Sequence, residues 1–398
     1  MQRQSGGIFF GVCVECGSSS SKHWLVWIAS TLDLTLARTV TSRRFLSFYS
    51  DVVRKSAALL APVVLFFFKS AVILRIISLR DDIEKTHTLR SRVVWEEARR
   101  RGIPMRQLFV LGLSTELFEA YLQSSPHIFL SLPVPLRYRA DEPWVDDKYM
   151  LKKKFAEGGV AAPLSYSVST FKEAREALAR LGTVCVKPRF GSNGRHTFPY
   201  VSTEEELAKA FYSAKKICYW VVVEEHLEGN ISRATCVNGT LVGFLESQYP
   251  TVVGDGHSTI RELIEKENLN RPARVEEIEL TPVHTSYIAR RGYSADSVLE
   301  ADKILPLTYR AGYGSGGRNW ERGTDINPEL RQEIERAARV TRLPVVGFDL
   351  IIQNPHQSPQ GQRWGIIEAN SLPWIDLHSS PLYGTPQNVA AHIWDLWK

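Results

Sequence analysis

Cysteine is scarce and follows no pairing pattern: the 398 residues include five, an odd number. That excludes a small disulfide-stapled scaffold and fits a reducing compartment, the cytoplasm, where thiols stay free. Cys13 and Cys16 form one CxxC. No second pair follows at zinc spacing and no strand-helix pattern surrounds it, so it reads as two incidental thiols. A long uninterrupted apolar run is also missing. Residues 57–68 carry no charge but include Pro62, and Lys69 separates them from the apolar residues 70–74. A spanning helix needs about 20 apolar residues, and a central lysine costs about 2.5 to 3.5 kcal/mol. Residues 57–79 therefore suit weak contact with a membrane surface, or a buried helix, better than a span. They also lie too far from the start for a usual secretory signal.

An excess of acid is lacking as well: the formal charge is +6. Residues 1–100 hold fifteen Lys or Arg against eight Asp or Glu, so the surplus belongs to the first quarter and the rest is near neutral. The interleaved basic and aromatic motifs of nucleic-acid binders are absent, which argues against a nucleic-acid partner. With 44% hydrophobic and 23% charged residues, the chain is long enough for two or three packed units.

The informative stretch is 345–378. Residues 347–352 and 364–370 are short apolar runs that predict two adjacent strands of a hairpin, each with one acid among its greasy neighbours, Asp349 and Glu368. A carboxylate in a buried strand costs several kcal/mol, roughly, unless a cation or hydrogen bonds compensate it. Glu368 and Asn370 are two apart and share a strand face, which Asp349 can join from the partner strand. Three hard oxygen donors on one face suit Mg2+; two acids paired with lysines, or facing water, is the plainer alternative.

Upstream, 81–102 predicts a charged helix with Val93, Val94 and Ala98 on one face, stopped by Gly102. Strands over 107–113 and 128–132 around a helix near 116–123 make a small α/β unit. Asp147 and Lys148 open a helix ending at Gly158 and Gly159. Capping-box spacing at Thr170/Glu173, Ser202/Glu205 and Thr259/Glu262 marks three helix starts, and Asn327-Pro328 a fourth running to 343. Lys187 ends a strand over 183–187 and precedes the turn Gly191, Ser192, Asn193, Gly194; such a loop can offer backbone N–H groups to phosphate oxygens, although it also reads as an ordinary exposed turn. A valine-rich strand over 219–224 ends at Glu224 and Glu225. The domains expected are an N-terminal extension (1–80), a small α/β unit (81–145) and a main domain (146–398).

In their order along the chain these features resemble the ATP-grasp superfamily of carboxylate–amine ligases. Residues 251–264 with Asn268, the glycines 314–317 with Asp325, and 370–384 with His378 and Pro381 are similar to the ATP-grasp domains of cyanophycin synthetases and fused glutathione-synthesising enzymes. The resemblance covers about 145–395 well and 85–140 weakly. It implies an α+β ATP-grasp fold, two α/β subdomains clasping the nucleotide, using ATP and Mg2+ on an amino-acid or peptide substrate. It places Lys148 and Lys187 at the phosphates, Gly191 to Gly194 over them, and Glu224, Glu225 and Leu227 at the adenine. Asp349, Glu368 and Asn370 become the magnesium ligands, and Arg233, Arg310 and Arg318 catalytic cations. Asn230 and Ile231 depart from the family, which generally has an acid two residues after the hinge glycine; so do Gly312, where relatives tend to have asparagine, and the placing of an arginine at 310 instead of near Thr308. Residues 310–323, rich in glycine, read as a lid. His378 reads as a base for the amine or as a structural residue near a proline turn. An ATP-grasp module with little turnover, and an ATP-grasp phosphotransferase or thiol ligase, are the alternatives within the fold.

Overall fold

The structure is a computed structural model that describes residues 76–138, 142, 144–191 and 194–398, together with His23 and Trp27. The expectations for Cys13 and Cys16, for residues 57–75, and for Ser192 and Asn193 lie outside the described residues. The chain divides into two compact units, one built on residues up to 133, 146–153 and 163–226, the other on 134–145, 154–162 and 227–398.

The first unit begins with a four-stranded antiparallel meander, β1 (Ile77–Arg80), β2 (Met105–Val110), β3 (Leu113–Leu122) and β4 (Ser125–Leu130), in the order β1-β2-β3-β4. Helix α1 (Leu89–Arg100) lies between β1 and β2 in sequence; Thr88 caps it, and Val94, Trp95 and Ala98 are buried while Val93 is half-buried. The helix expected near 116–123 is instead the middle of β3. Glu116, Glu119 and Ala120 favour helix on their own, but alternation wins: Phe118 and Ala120 pack inward, and Glu119 meets Arg106 across the strands. The small α/β unit is thus an antiparallel sheet with one helix.

Helix α2 (Lys148–Glu157) follows. The next sheet has the order β5-β8-β6-β7, all antiparallel, from β5 (Ser165–Val168), β6 (Val184–Pro188), β7 (Phe198–Val201) and β8 (Val221–Glu225). Helices α3 (Phe171–Leu181) and α4 (Glu204–Lys215) supply Ala174, Ala177, Leu207, Ala210 and Phe211 to its valine core. The capping box of α3 is Thr170/Glu173, as its spacing predicts; that of α4 is Thr203/Glu206, one residue beyond the expected pair. Ser202 still donates its backbone N–H to Glu206, so both hydroxyls sit at the helix start and Thr203 holds the capping geometry.

The second unit is organised around a six-stranded sheet in the order β15-β14-β9-β10-β13-β16. Its strands are β9 (Asn230–Val237), β10 (Thr240–Gln248), β13 (Arg318–Glu321), β14 (Val345–Ile352), β15 (Gly365–Asn370) and β16 (Tyr383–Gly384). A two-stranded ribbon, β11 (Thr251–Val253) with β12 (Ile304–Pro306), carries α5 (Ile260–Leu269) and α6 (Pro282–Ala289) between its strands. Helix α7 (Pro328–Thr341), capped by Asn327 with proline at its first turn, buries Leu330, Ile334, Ala337 and Ala338. Short α8 (Asp376–Ser379) and α9 (Val389–Asp395) complete the unit.

Part of the segment expected to form a lid is strand. Arg318–Glu321 is β13, hydrogen-bonded to β10 on one side and β16 on the other. Of the glycines ahead of it, Gly317 is needed for close packing, since a Cβ there would meet the Gln248 carbonyl oxygen at 2.7 Å, whereas Gly312 and Gly314 have nothing within 4 Å.

Candidate active site

In the first unit, one ion pair sets the geometry. Asp147 accepts from the backbone N–H groups of Tyr149 and Met150 at 3.0 and 3.1 Å, which makes it the start of α2. The same carboxylate grips Arg189 through Nε at 2.8 Å and Nη2 at 2.5 Å. Both side chains are buried, so the opening of α2 is fixed to the end of β6. Lys148 follows Asp147 and Lys187 precedes Arg189 by two, so the pair brings the two lysines into one region.

Lys148 Nζ donates to the carbonyl of Gly191, at the start of the glycine turn, at 2.5 Å. Lys187 Nζ lies 2.5 Å from Glu224 Oε1, and Lys152 Nζ 3.2 Å from Glu224 Oε2, all three side chains no more than 5% exposed. Glu224 reaches Lys187 because Cys185 and Glu224 are register partners on β6 and β8, which leaves Lys187 as its diagonal neighbour. Lys152 stands one helical turn beyond Lys148 on the same face. Burial pushes Glu224 up, but Lys152 and Lys187 outweigh it and hold the carboxyl below its ordinary value. Burial lowers Lys152 to about 7; Glu224 resists and the neighbouring lysines 187 and 148 assist. Two lysines on one carboxylate, with Lys148 close to Lys152, leave a surplus of positive charge beside the glycine turn, an arrangement suited to an anion. Sequence reasoning missed Lys152, although its spacing of four from Lys148 was visible, and missed Arg189 as the anchor. Glu225 is half-buried and its carboxylate accepts from Leu164 N at 3.3 Å.

In the second unit, register does the work. Asp349 on β14 faces Glu368 on β15 and Arg233 on β9, so the three form one row across three strands. The next row on the same face holds Asn370, Gly347 and Thr235. Arg233 donates Nε to Asp349 Oδ1 at 2.8 Å and Nη2 to Oδ2 at 2.7 Å; its Nη1 is buried with no hydrogen-bond partner. Burial raises the Asp349 carboxyl; Arg233 pulls it back and Glu368 pushes it up again. Desolvation works against Arg233, and the Asp349 carboxylate overrides it, holding the guanidinium above its ordinary value. Two neighbouring half-buried acids repel one another here, and a cation on this face would relieve that repulsion. Two carboxylates and an amide give hard oxygen donors, too few for an all-protein calcium cage and suited to an ion that keeps water and phosphate ligands. Among the described residues no group of three or more His, Cys, Asp or Glu stands ready to hold a metal.

The segment after β15 lies on this face. A Cβ on Gly347 would meet Pro373 Cβ at 2.6 Å, and one on Gly243 would meet His378 Nδ1 at 2.6 Å. His378 is fully buried, with Nδ1 2.6 Å from Glu321 Oε2 and Nε2 2.7 Å from Thr235 Oγ1. Glu321 also accepts from the backbone N–H groups of Phe244 and Gly323. With both ring nitrogens engaged away from solvent, His378 is a structural residue and not a base. Arg318 is ion-paired with Glu267 on α5. Arg310 is exposed and lines a cavity of about 520 Å³ with Glu276, Glu279, His284 and Thr308. Buried Leu227 belongs to this unit, and Ile231 pairs with Ile351 in the sheet.

No family model matches the chain. Its structure superposes on a bifunctional glutathione synthetase from Pasteurella multocida with a TM-score of 0.53 and 20% identity, over 79% of this chain and 43% of that one. The fold is ATP-grasp. By sequence the chain is 32% identical over 261 residues to a cyanophycin synthetase of Synechocystis sp., covering 63% of this chain and 30% of the relative. A glutathione biosynthesis bifunctional protein of Clostridium perfringens is 25% identical over 264 residues, covering 63% and 34%. This ATP-grasp chain spans about a third of the length of these curated relatives.

Proposed function

We propose that the chain is an ATP-dependent ligase that activates a carboxylate of an amino acid or peptide and joins it to an amine. The observation that carries this reading is the row Arg233, Asp349 and Glu368 on a half-buried sheet face, with Asn370 beside it. A fold kept only for packing has no use for two adjacent half-buried acids among apolar neighbours. The names of the relatives and the lysine cluster of the other unit support the reading.

Asp349, Glu368 and Asn370 would hold Mg2+, which, when bound, supplies neutralisation of β- and γ-phosphate charge. Lys148 and Lys187 bind the phosphates, and Lys152 and Glu224 set the charge and direction of Lys187. Arg233 offers its unpaired Nη1 to the oxyanion that develops as the substrate carboxylate attacks the γ-phosphorus. An acyl phosphate and ADP result, and the amine then displaces phosphate to give the amide. We assign the cavity of Arg310 to the amine-bearing substrate: Arg310 faces its carboxylate, and Glu276 and Glu279 its ammonium. The free thiols of Cys185, Cys218 and Cys236 fit a cytoplasmic setting. Among the described residues no helix is long and apolar enough to cross a membrane.

The deciding experiment measures ADP release from Mg-ATP with pooled amino acids and dipeptides, for the wild type and Glu368→Gln. Amino-acid-dependent release that falls at least about a hundredfold in the variant supports the ligase. Metal-dependent ATP binding without release in any pool favours a module with little turnover, the reading to which Ile231 points. Absence of ATP binding rejects both.

A further inference from the structure

An amino group arrives at neutral pH mostly as an ammonium ion, which has no lone pair with which to attack, so amide formation calls for a group that takes a proton. His378 has both ring nitrogens engaged, and Arg233 holds Asp349 through both oxygens. One more acid stands on the same face. Gly347, Thr235 and Gly243 are register partners on β14, β9 and β10. The chain after β15 crosses above this row, with Pro373 against Gly347 and His378 against Thr235 and Gly243. Asp376 lies between these two anchor points, half-buried, as the first residue of α8. Its charge reaches the neighbouring row: desolvation works against the Arg233 guanidinium, and Asp349 first, then Glu368 and Asp376, hold it above its ordinary value.

Helix α8 also borders the acceptor side. Arg274 belongs to the loop that supplies Glu276 and Glu279 to the cavity of Arg310, and its Nη2 donates to the Ser380 carbonyl at 2.9 Å, one residue beyond α8. Glu276 and Glu279 are exposed and suited to gathering the ammonium, but neither belongs to the six-stranded sheet or to the segment that crosses it. Asp376 is the acid on the turn that joins the two regions, with the guanidinium of Arg233 on one side and the loop of the cavity tied to the other. The charged groups around it are Arg233 of β9, with Asp349 of β14 and Glu368 of β15 beyond, and on its own turn His378, which is bound to Glu321 of β13.

We infer that Asp376 is the general base of the amide-forming step, an inference that rests on the ligase reading. Its carboxylate accepts one proton from the ammonium. The freed lone pair forms the C–N bond at the acyl carbon, and the bond from that carbon to the phosphate oxygen breaks with its electron pair. A second amine proton leaves with the phosphate, and Asp376 returns its own to water. The test gives the full chain Mg-ATP and the pooled amino acids and dipeptides, with and without hydroxylamine, for the wild type and Asp376→Asn. Hydroxylamine is largely uncharged near pH 7 and traps an acyl phosphate as a hydroxamate without help from a base. The variant makes hydroxamate at the wild-type rate, while its amide formation near pH 7 falls at least about a hundredfold, a deficit that shrinks about tenfold per unit as rising pH frees the amine in solution. Asp376→Glu recovers part of the amide rate. Should Asp376→Asn fail to fold, Asp376→Ser carries the same comparison. Loss of hydroxamate and amide together in a folded variant overturns the inference, since Asp376 then only orients Arg233; so does amide formation at the wild-type rate. A wild type that makes neither product overturns the ligase reading and this assignment with it.

Discussion

Lys152 gives the sharpest quantitative test. Its ammonium is buried beside Glu224, and burial lowers it from 10.5 to about 7. The group binds its proton less tightly folded than unfolded. Below pH 7 both states carry the proton and the cost of burying the charge is fully present. Between pH 7 and 10.5 the unfolded chain keeps a proton that the folded chain has lost, so stability rises with pH, by at most about 1.4 kcal/mol per unit. From pH 7 to 9.5 the gain is about 3 kcal/mol. Lys152→Met lacks the titration, so urea unfolding at half-unit steps should show the wild type gaining on the variant by that amount. A difference between the two that stays flat across this window would refute the assignment. On the ligase reading the triphosphate restores the proton, so ATP binding near pH 8 should take one up. Binding heats measured in buffers of different ionisation enthalpy would reveal it.

Three further outcomes follow. His378→Ala leaves Thr235 and Glu321 without their buried partner and should cost about 2 to 4 kcal/mol, read as a lowered urea midpoint. Gly243→Ala places a methyl group against the His378 ring and should cost about 1 to 3 kcal/mol, and combining it with His378→Ala should recover part of that loss. Arg310→Ala should raise the KM for the amine-bearing substrate about tenfold or more, and leave the KM for ATP unchanged, since its cavity is lined by none of the lysines or sheet acids. Equal effects on both constants would remove the cavity from the acceptor side.

The parts of the fold that sequence made legible are those governed by local rules. The Asp349 and Glu368 hairpin was readable because an acid in a run of valine and isoleucine has few explanations, and the helix starts because capping boxes are short and chemical. Strand β3 was misread because Glu116, Glu119 and Ala120 favour helix locally; what makes them strand is Arg106 and the phenylalanines of neighbouring strands, which no local window contains. Lys152 was missed for a related reason: its significance comes from Glu224, 72 positions away in the chain. The last part of the expected lid is strand β13, and the segment was read too long because glycine serves two ends, mobility and close approach, and Gly317 is of the second kind. Sheet order, which aligns Arg233 with the acids, is a long-range property that composition and spacing do not encode.

The packing of Pro373 and His378 into the hollows left by Gly347 and Gly243 has a consequence for how this protein can vary. β15 ends at Asn370, and the chain is tacked to the sheet three residues later and again five after that. The acid-bearing strand therefore has almost no slack with which to slide or rotate. Gly243, on a different strand, becomes a position where variation shifts Asp349, Glu368 and Asn370, the oxygen donors of the proposed site. On the ligase reading, a mutational survey scored only by turnover would rank it beside the residues proposed for the chemistry, and a survey of abundance would show why.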